Sequence, residues 1–278
     1  MSDLSDADLL AAFDTQVRRP GDNPAGFRAE RLETPAPMLL IRPADDTASW
    51  GGGVFWCDLD ETNADEAIAT AIDRFRPAGR EFEWKHYSYD TPADLPDRLR
   101  VAGLEPQDEE ALVVGEVRVV CDRLAAAPEP AGITIRRVRP ETEDPAAWAS
   151  DWQGIGDLHA AVWGGDGTAA NASVASSMTE DPDGTSVWVA VAEDGAIVCA
   201  ARANFHAGTE FVSLWGGSTL PGYRGLGIYQ ALVSRRADEA AERGFRYLQI
   251  DASPDSRPIL QRLGLRVLAT TTPWTWKP

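Results

Sequence analysis

Three apolar segments separated by two tight turns, followed by a glycine-containing turn and a helical segment, restrict the fold of the second half of the chain. The three apolar segments are residues 186–192, 196–205 and 210–215. The turns Glu193-Asp194-Gly195 and His206-Ala207-Gly208 are short enough to join antiparallel strands, so a three-stranded meander is predicted. A helix within Gly222–Gly244 then leads to a strand at 246–251. A strand, crossover helix and strand form a parallel pair, so the sheet is predicted to be mixed.

Further segments extend this pattern into both halves of the chain. Those of the second half are a strand at 133–137, helices at 145–162 and 169–179, a short helix after Ser253-Pro254 and a strand at 266–271. Those of the first half are a helix near 4–18, strands at 38–41, 53–59, 81–89 and 111–120, and helices at 64–75 and 94–102. The two halves follow a similar order of elements without sharing a motif, which predicts an internal structural duplication.

A small-residue, proline-rich segment separates the halves. Leu124–Gly132 reads LAAAPEPAG, which is typical of a linker. The predicted organisation is a domain over 1–125, a linker over 126–132 and a domain over 133–278. The length of 278 residues accommodates two domains.

The charge and cysteine content exclude several classes of function. The net charge of −18 argues against nucleic acid and anionic membrane as partners, because both require a basic face. An acidic protein attracts a cationic substrate such as an amine, although acidity also serves solubility alone. The acidic N-terminus lacks the pattern of a signal peptide, and the three distant cysteines indicate reduced thiols. A cytoplasmic location without a metal site is therefore expected.

The glycine turn is a candidate anion site. Gly225 and Gly227 let the backbone approach a ligand closely, and the following helix presents free N–H groups and its positive dipole end. Arg224 adds a charge-assisted contact. The alternative is an ordinary connector before a helix. Neither the dinucleotide fingerprint G-x-G-x-x-G nor a Gly-Lys-Ser/Thr phosphate loop is present, so other anionic ligands are favoured over NAD and ATP.

The second half resembles the GCN5-related N-acetyltransferase (GNAT) superfamily over about residues 133–276. The family signature is Arg/Gln-x-x-Gly-x-Gly/Ala, and Arg224-Gly225-Leu226-Gly227-Ile228-Tyr229 departs from it only at the last position. The family's later helix often carries an Asn and a Tyr. Here Ser253, Ser256 and Leu260 stand in that region before Gly264-Leu265, so the helix is kept without those two residues.

The resemblance implies an α/β fold, more closely an α+β mixed sheet, with two acetyltransferase-like domains, mainly antiparallel with one splayed parallel pair. It also implies acetyl-CoA as a substrate, with its pyrophosphate on the loop and its pantetheine and acetyl carbonyl at the end of the preceding strand. The implied acetyl-CoA-binding residues are Ser218, Thr219, Leu220, Arg224, Gly225, Leu226, Gly227, Ile228, Tyr229, Ser253 and Ser256. For Ser253 and Ser256, helix capping is the alternative role.

Two carboxylates are candidates for the general base. Members of the family commonly use a Glu on the strand before the loop, which points to Glu210, and Asp251 ends the next strand. A solvent-exposed charge is the alternative for Glu210. His206, in the turn before that strand, is a further candidate, for which an exposed turn residue is the alternative. In the first half, Asp60-Glu61-Thr62-Asn63 stands where the loop belongs, so that half is expected to be degenerate.

The resulting functional hypothesis is an N-acetyltransferase that moves an acetyl group from acetyl-CoA to a primary amine of a small molecule or peptide, by direct transfer in a ternary complex. Two alternatives stay open. One is a non-catalytic acyl-CoA-binding or regulatory module, suggested by the missing Asn and Tyr. The other is a nucleotide-binding protein of another fold.

Overall fold

A computed structural model of the chain describes residues 4–21, 27–44, 51–164 and 168–278, without the side chains of 168–170. These residues form two compact units, each built from separate stretches of sequence. The first unit contains Met1–Leu112, Asp251–Pro254 and Val267–Pro278, and the second contains Val113–Ile250 and Asp255–Arg266. The division of the sequence at 126–132 stays a prediction.

The elements follow the predicted order closely. They are α1 (Asp6–Phe13, continued by a π-helical turn, Asp14–Arg18), β1 (Phe27–Leu32), β2 (Met38–Pro43), β3 (Gly53–Cys57), α2 (Ala64–Phe75), β4 (Phe82–Tyr87), α3 (Leu95–Val101), β5 (Glu105–Pro106), β6 (Glu110–Glu116), α4 (Val117–Leu124), β7 (Ile133–Arg137), α5 (Pro145–Trp163), α6 (Thr168–Glu180), β8 (Thr185–Ala192), β9 (Ile197–Phe205), β10 (Phe211–Thr219), α7 (Ile228–Glu242), β11 (Tyr247–Ala252), α8 (Arg257–Arg262) and β12 (Arg266–Trp276).

Two local predictions were wrong or incomplete. The strand predicted over 111–120 ends at Glu116, and Val117 begins α4. Val117, Val120 and Leu124 are buried at helical spacing, so burial of one helix face outweighs the strand propensity of the β-branched residues. Strand β1 was not predicted, because Phe27–Leu32 contains three charged residues.

The first unit has the strand order β1-β2-β3-β4-β12, with β5 paired to β12. Strands β3 and β4 are parallel, as the crossover helix α2 requires, and the other pairs of this unit are antiparallel. Helix α2 buries Ala67, Ile68 and Ala71 in a core that also contains Trp84 and Trp274. The C-terminal strand therefore completes the core of the first unit.

The second unit has the strand order β6-β11-β10-β9-β8-β7. Helix α5 packs with Val189 and Ala200 on one face of this sheet, whereas α7 packs with Ala190 and Cys199 on the other face. Strands β7 to β10 are antiparallel neighbours and β10 is parallel to β11. The predicted mixed sheet and its parallel pair are confirmed.

The parallel pair of the second unit separates towards the ends of its strands. Its register joins Phe211–Ser213 to Tyr247–Gln249, while β10 continues to Thr219. The register between β9 and β10 shifts between Trp215 and Ser218, and Gly216 has φ = 64°. Since positive φ favours glycine, this bulge fixes the point where β10 departs from β11. The loop before α7 follows directly after this divergence.

Candidate active site

The loop between β10 and α7 is open on the side that a ligand would occupy. After a 3₁₀ turn over Pro221–Tyr223, Gly225 and Gly227 adopt φ = 77° and 80°. A Cβ at either glycine would meet no described atom within 4 Å. Helix α7 begins at Ile228 without a side-chain cap, so its first N–H groups and its positive dipole end face this open space. The geometry suits an anion.

The end of β10 is held in place by β9 and carries a hydroxyl without a partner. Ser218 pairs with Ala200 and is 2% exposed, and its Oγ lacks a hydrogen-bond partner among the described residues. The Thr219 Oγ1 lies 3.1 Å from Cys199 Sγ, and the Leu220 N–H donates to the Val198 carbonyl. Burying a hydroxyl without a hydrogen bond is costly, so Ser218 Oγ is suited to a polar ligand atom.

Arg224 is exposed and turns back towards the strand end. Its Nε donates to the Thr219 carbonyl at 3.3 Å. Leu226 is also exposed, with 56% of its surface accessible. Both side chains are therefore accessible from solvent beside the glycine loop.

Tyr229 fills the position where the family signature has a small residue. A Cβ at Gly217 would lie 2.9 Å from Tyr229 Cε2, so the ring rests against the bulge of β10. Its hydroxyl shares a hydrogen bond with the Ser256 side chain, and burial raises its pKa. Ser256 makes no capping bond to α8, so its predicted alternative role as a helix cap is wrong. The structure brings Tyr229 and Ser256 together next to the loop.

Glu210 lies far from the loop. It immediately precedes β10, and its carboxylate lies 3.5 Å from Arg246 Nη1. Strand geometry separates it from the bulge at Gly217 by about 20 Å along β10. The structure does not bring Glu210 to the loop, and its role as a base stays an unsupported prediction.

Asp251 lies in a buried ion pair of the first unit. Its Oδ2 is 3.2 Å from Lys85 Nζ, which also approaches Glu110 at 3.1 Å, and the Asp251 side chain is 2% exposed. Burial lowers the pKa of Lys85, but the neighbouring carboxylates outweigh it and raise the pKa overall. Asp251 therefore faces a permanent cation. Ser253, two residues on, is exposed and belongs to the same unit.

His206 takes part in a chain of side-chain hydrogen bonds. Its Nε2 lies 2.7 Å from Ser213 Oγ, which donates to Gln249 Oε1 at 2.7 Å. Because the Ser213 hydrogen is used towards Gln249, Nε2 of His206 must be the donor to Ser213. This arrangement gives His206 a structural role.

The sequence interpretation missed His159. This residue of α5 places its Nδ1 2.9 Å from Asn171 Oδ1 of α6, and its ring lies against that of Trp163 at an angle of 31°. Its buried Nε2 has no partner among the described residues. The signals in the sequence were slight: a histidine inside a helical segment and an asparagine in the next one.

The first unit closes the equivalent loop with its own side chain. Asp60 Oδ1 accepts the N–H groups of Thr62 and Asn63 at 2.7 and 3.1 Å, just before α2 begins. The Thr62 hydroxyl also donates to Asp60 Oδ1, and this bond, together with the two N–H donors, holds the pKa of Asp60 below its ordinary value. A carboxylate thus uses N–H groups that a phosphate would need.

The space beside β3 and β4 in that unit is also filled. Arg18 is 5% exposed, donates to the Phe55 carbonyl at 3.1 Å and pairs with both oxygens of Asp90 at 2.6 and 2.8 Å. Its guanidinium lies 4.1 Å from the centre of the Tyr87 ring. These contacts support the interpretation of the first half as degenerate.

Neither a metal centre nor a membrane span is found in the part of the chain that the structure describes. Those residues contain no group of three or more His, Cys, Asp and Glu side chains arranged to hold a metal. They also contain no helix that combines the length and apolar character needed to cross a bilayer.

Comparison with known proteins gives a consistent result. Residues 152–265 match the model of the Acetyltransferase (GNAT) family. A GCN5-related N-acetyltransferase from Kribbella flavida is 18% identical, with a TM-score of 0.65 over 97% of this chain and 94% of that one. A tandem GNAT protein from the clavulanic acid biosynthesis pathway is 12% identical, with a TM-score of 0.58 over 91% and 84%. A GCN5-related N-acetyltransferase from Sphaerobacter thermophilus is 17% identical, with a TM-score of 0.56 over 87% and 81%. A comparison with curated protein sequences finds no match.

Proposed function

Because residues 152–265 match the model of the Acetyltransferase (GNAT) family, we propose that this chain transfers the acetyl group of acetyl-CoA to a primary amine of a small molecule or peptide. Transfer is direct, within a ternary complex of the protein, acetyl-CoA and the amine. The observation that carries the proposal is the open loop at the start of α7, next to the diverging end of β10.

The residues at this place fit acetyl-CoA. Two positive-φ glycines leave the loop unobstructed, and the N–H groups of α7 complement the negative pyrophosphate. The unpartnered Ser218 Oγ lies at the strand end, where the pantetheine and the thioester would run. Tyr229 does not obstruct the loop, since its ring is turned towards Gly217 and Ser256. We assign the loop and Ser218–Leu220 to acetyl-CoA.

The chain's main contribution to the reaction is position and polarisation. Backbone N–H groups at the end of β10 stabilise the negative charge that develops on the thioester oxygen. The neutral amine attacks the carbonyl carbon, the new N–C bond forms, the C–S bond breaks, and a proton of the amine passes to the departing sulfur. Leu260, 0% exposed, occupies the place of the family's tyrosine, so no phenol at that position supplies this proton.

Among the residues that the structure describes, the second unit alone carries this arrangement. In the first unit, Asp60 occupies the N–H groups before α2, and Arg18 binds the Phe55 carbonyl. The excess of acidic residues, 44 against 26 basic ones, favours a cationic acceptor. A cytoplasmic location is part of the same proposal.

Thermal unfolding with added ligands tests the proposal. A ligand that binds the native state at about 100 times its Kd stabilises it by about 2.7 kcal/mol. Acetyl-CoA is expected to raise the melting temperature, and ATP or NAD at the same concentration is not. The absence of a shift at millimolar acetyl-CoA would contradict the proposal.

Release of free CoA thiol then distinguishes an enzyme from a binding module. The assay uses acetyl-CoA with a panel of primary amines such as tyramine, spermidine, lysine and glucosamine. Amine-dependent thiol release supports the transferase. A thermal shift without thiol release on a broad panel would support the non-catalytic module. The presence of Leu260, where the family has a Tyr, is consistent with that alternative.

A further inference from the structure

A hydrogen bond between two helices fixes the hydrogen position on His159. Asn171 Oδ1 is an acceptor only, and it lies 2.9 Å from His159 Nδ1, so Nδ1 carries the hydrogen. In the neutral ring, Nε2 then carries no hydrogen, and its lone pair can accept a proton. That atom is buried and has no partner among the residues the structure describes. The pair therefore presents an oriented proton acceptor.

The surroundings favour the neutral form of this imidazole. Burial is the main cause that lowers the pKa of His159 from its ordinary value. The hydrogen bond to Asn171 opposes burial with a smaller effect, and the positive charge of Arg202 adds a still smaller lowering of the pKa. Arg202 on β9 is the charged group that acts on the ring. The ring's neighbours, Asn171 on α6 and Trp163 on α5, are neutral.

Arg202, whose charge acts on His159, lies beside the bulge of β10. It pairs with Trp215 across β9 and β10, and its guanidinium carbon lies 5.9 Å from the centre of the Trp215 ring. A Cβ on Gly216 would lie 3.7 Å from Arg202 Nη1. The guanidinium whose field reaches His159 therefore lies beside the point where β10 departs from β11. Ser218 and the loop follow within a few residues.

Other polar atoms without a partner among the described residues lie on the α5 face of the sheet and on α6. Arg202 and Asn204 alternate with the residues that face α7, so they share the α5 face with Ala200. Buried atoms without a partner among the described residues include Asn204 Oδ1, Trp215 Nε1 and Asn171 Nδ2. Groups of this kind require a partner, and one acceptor and two donors suit a polar molecule.

We propose that His159 is the general base of the acetyl transfer and that the acceptor is an amine bearing further hydroxyl or carbonyl groups, which bind Asn204 Oδ1, Trp215 Nε1 and Asn171 Nδ2. This inference rests on the proposed function. The ammonium form of the acceptor gives one proton to His159 Nε2 and becomes a neutral amine. The amine nitrogen then bonds to the thioester carbon, the C–S bond breaks, and the second proton goes to the sulfur. The imidazolium returns its proton to solvent.

The hydrogen position can be measured without any substrate. The chain has three histidines, so nitrogen-15 NMR of the side chains, assigned with His→Gln variants, resolves each ring. At pH 7, we expect His159 to be neutral, with hydrogen on Nδ1 and an unprotonated Nε2. A ring with hydrogen on Nε2, or one that is protonated at pH 7, would overturn the proposal.

Kinetics with acetyl-CoA and the best amine of the panel provide the second test. His159→Gln is expected to reduce kcat/KM by about 10²- to 10⁴-fold, the usual contribution of a general base. Asn171→Asp places a carboxylate at Nδ1, so the acid limb of the pH profile moves to higher pH, an effect that a merely structural role would not produce. His86→Gln, in the first unit, is the matched control and leaves the pH profile unchanged.

Binding separates the failure of this inference from failure of the proposed function. All three variants must keep the acetyl-CoA thermal shift of the wild type. If acetyl-CoA does not shift the melting temperature of the wild type, both the proposed function and this inference are contradicted. If the thermal shift is present but His159→Gln has the kcat/KM of the wild type, only the role of His159 is contradicted. The same holds if the acid limb of the pH profile does not move in Asn171→Asp.

Discussion

The ring of Tyr229 packs directly against Gly217. A Cβ added at Gly217 would lie only 2.9 Å from Tyr229 Cε2. Tyr229 belongs to the first turn of α7 and Gly217 to the bulge of β10. The contact therefore couples the helix that presents its N–H groups to the strand end that carries Ser218.

Substituting the glycine should disturb this coupling. Gly217→Ala forces the ring or the strand to move, and overpacking of this kind costs about 1–3 kcal/mol. We expect a lower melting temperature and weaker acetyl-CoA stabilisation. Gly222→Ala is the matched control, because a Cβ there meets nothing within 4 Å. Equal melting temperatures for the two variants would contradict the packing of Tyr229.

The hydrogen bond between Tyr229 and Ser256 should be measurable by a double-mutant cycle. Tyr229→Phe and Ser256→Ala each remove one partner, and each is expected to lower the free energy of unfolding by about 0.5–1.5 kcal/mol. The double variant should lose less than the sum of the two. Chemical denaturation gives all four values, and strict additivity would show that the two side chains do not interact.

Acetyl-CoA binding should depend on the space at Gly227. Gly227→Glu places a carboxylate at the start of α7, where it repels a pyrophosphate, so the acetyl-CoA thermal shift should vanish. Gly244→Glu is an unusually close control, since both glycines have φ = 80° and neither has a described atom within 4 Å of its Cβ position. The two variants therefore carry the same backbone strain, so any difference between them reports on the loop itself. Loss of acetyl-CoA binding in both variants would argue against the loop as the binding site.

The neutral state of His159 predicts a pH dependence of stability. The pKa of His159 is lowered in the folded protein, so the unfolded chain takes up the proton first as pH falls below 6.5. The stability that this group contributes is present above 6.5 and is lost as pH falls through the folded pKa. Urea unfolding from pH 7.5 to 5 should therefore show a smaller loss in His159→Gln than in the wild type. Parallel curves for the two proteins would contradict a depressed pKa.

Thiol reactivity should follow burial, which also matters for assays of released CoA. The three cysteines are free thiols, with Cys57 and Cys199 buried and Cys121 partly exposed. Burial raises the pKa of all three, that of Cys121 to about 11. We expect slow labelling of the native protein, absent in Cys121→Ser, and rapid labelling of all three after unfolding. Fast labelling of Cys57 in the native state would show that the first core is open.

Local patterns predicted much of the fold. The meander, the crossover helix and the glycine loop are all contiguous segments whose turns and periodicity determine their structure. The run at 117–120 was misassigned because valines favour strands locally, whereas burial of Val117 and Val120 on one helix face decides the outcome.

Long-range contacts could not be predicted from the same patterns. Nothing in residues 266–276 indicates that this strand pairs with β4 near the middle of the first half. His159 and Asn171 lie on different helices, and their hydrogen bond depends on how α5 and α6 pack. The glycine loop was predictable because its proposed role depends on backbone conformation, which glycines indicate in the sequence. A base and the residue that orients it depend on tertiary contacts, which the sequence pattern does not reveal.

The position of β12 has a consequence for how the protein is made. The first unit includes Val267–Pro278, and the core that includes Trp84 also includes Trp274 and Trp276. During synthesis the first half therefore leaves the ribosome well before the strand that completes its core. A gene divided within residues 126–132 would encode two fragments, one without β12 and the other without β6.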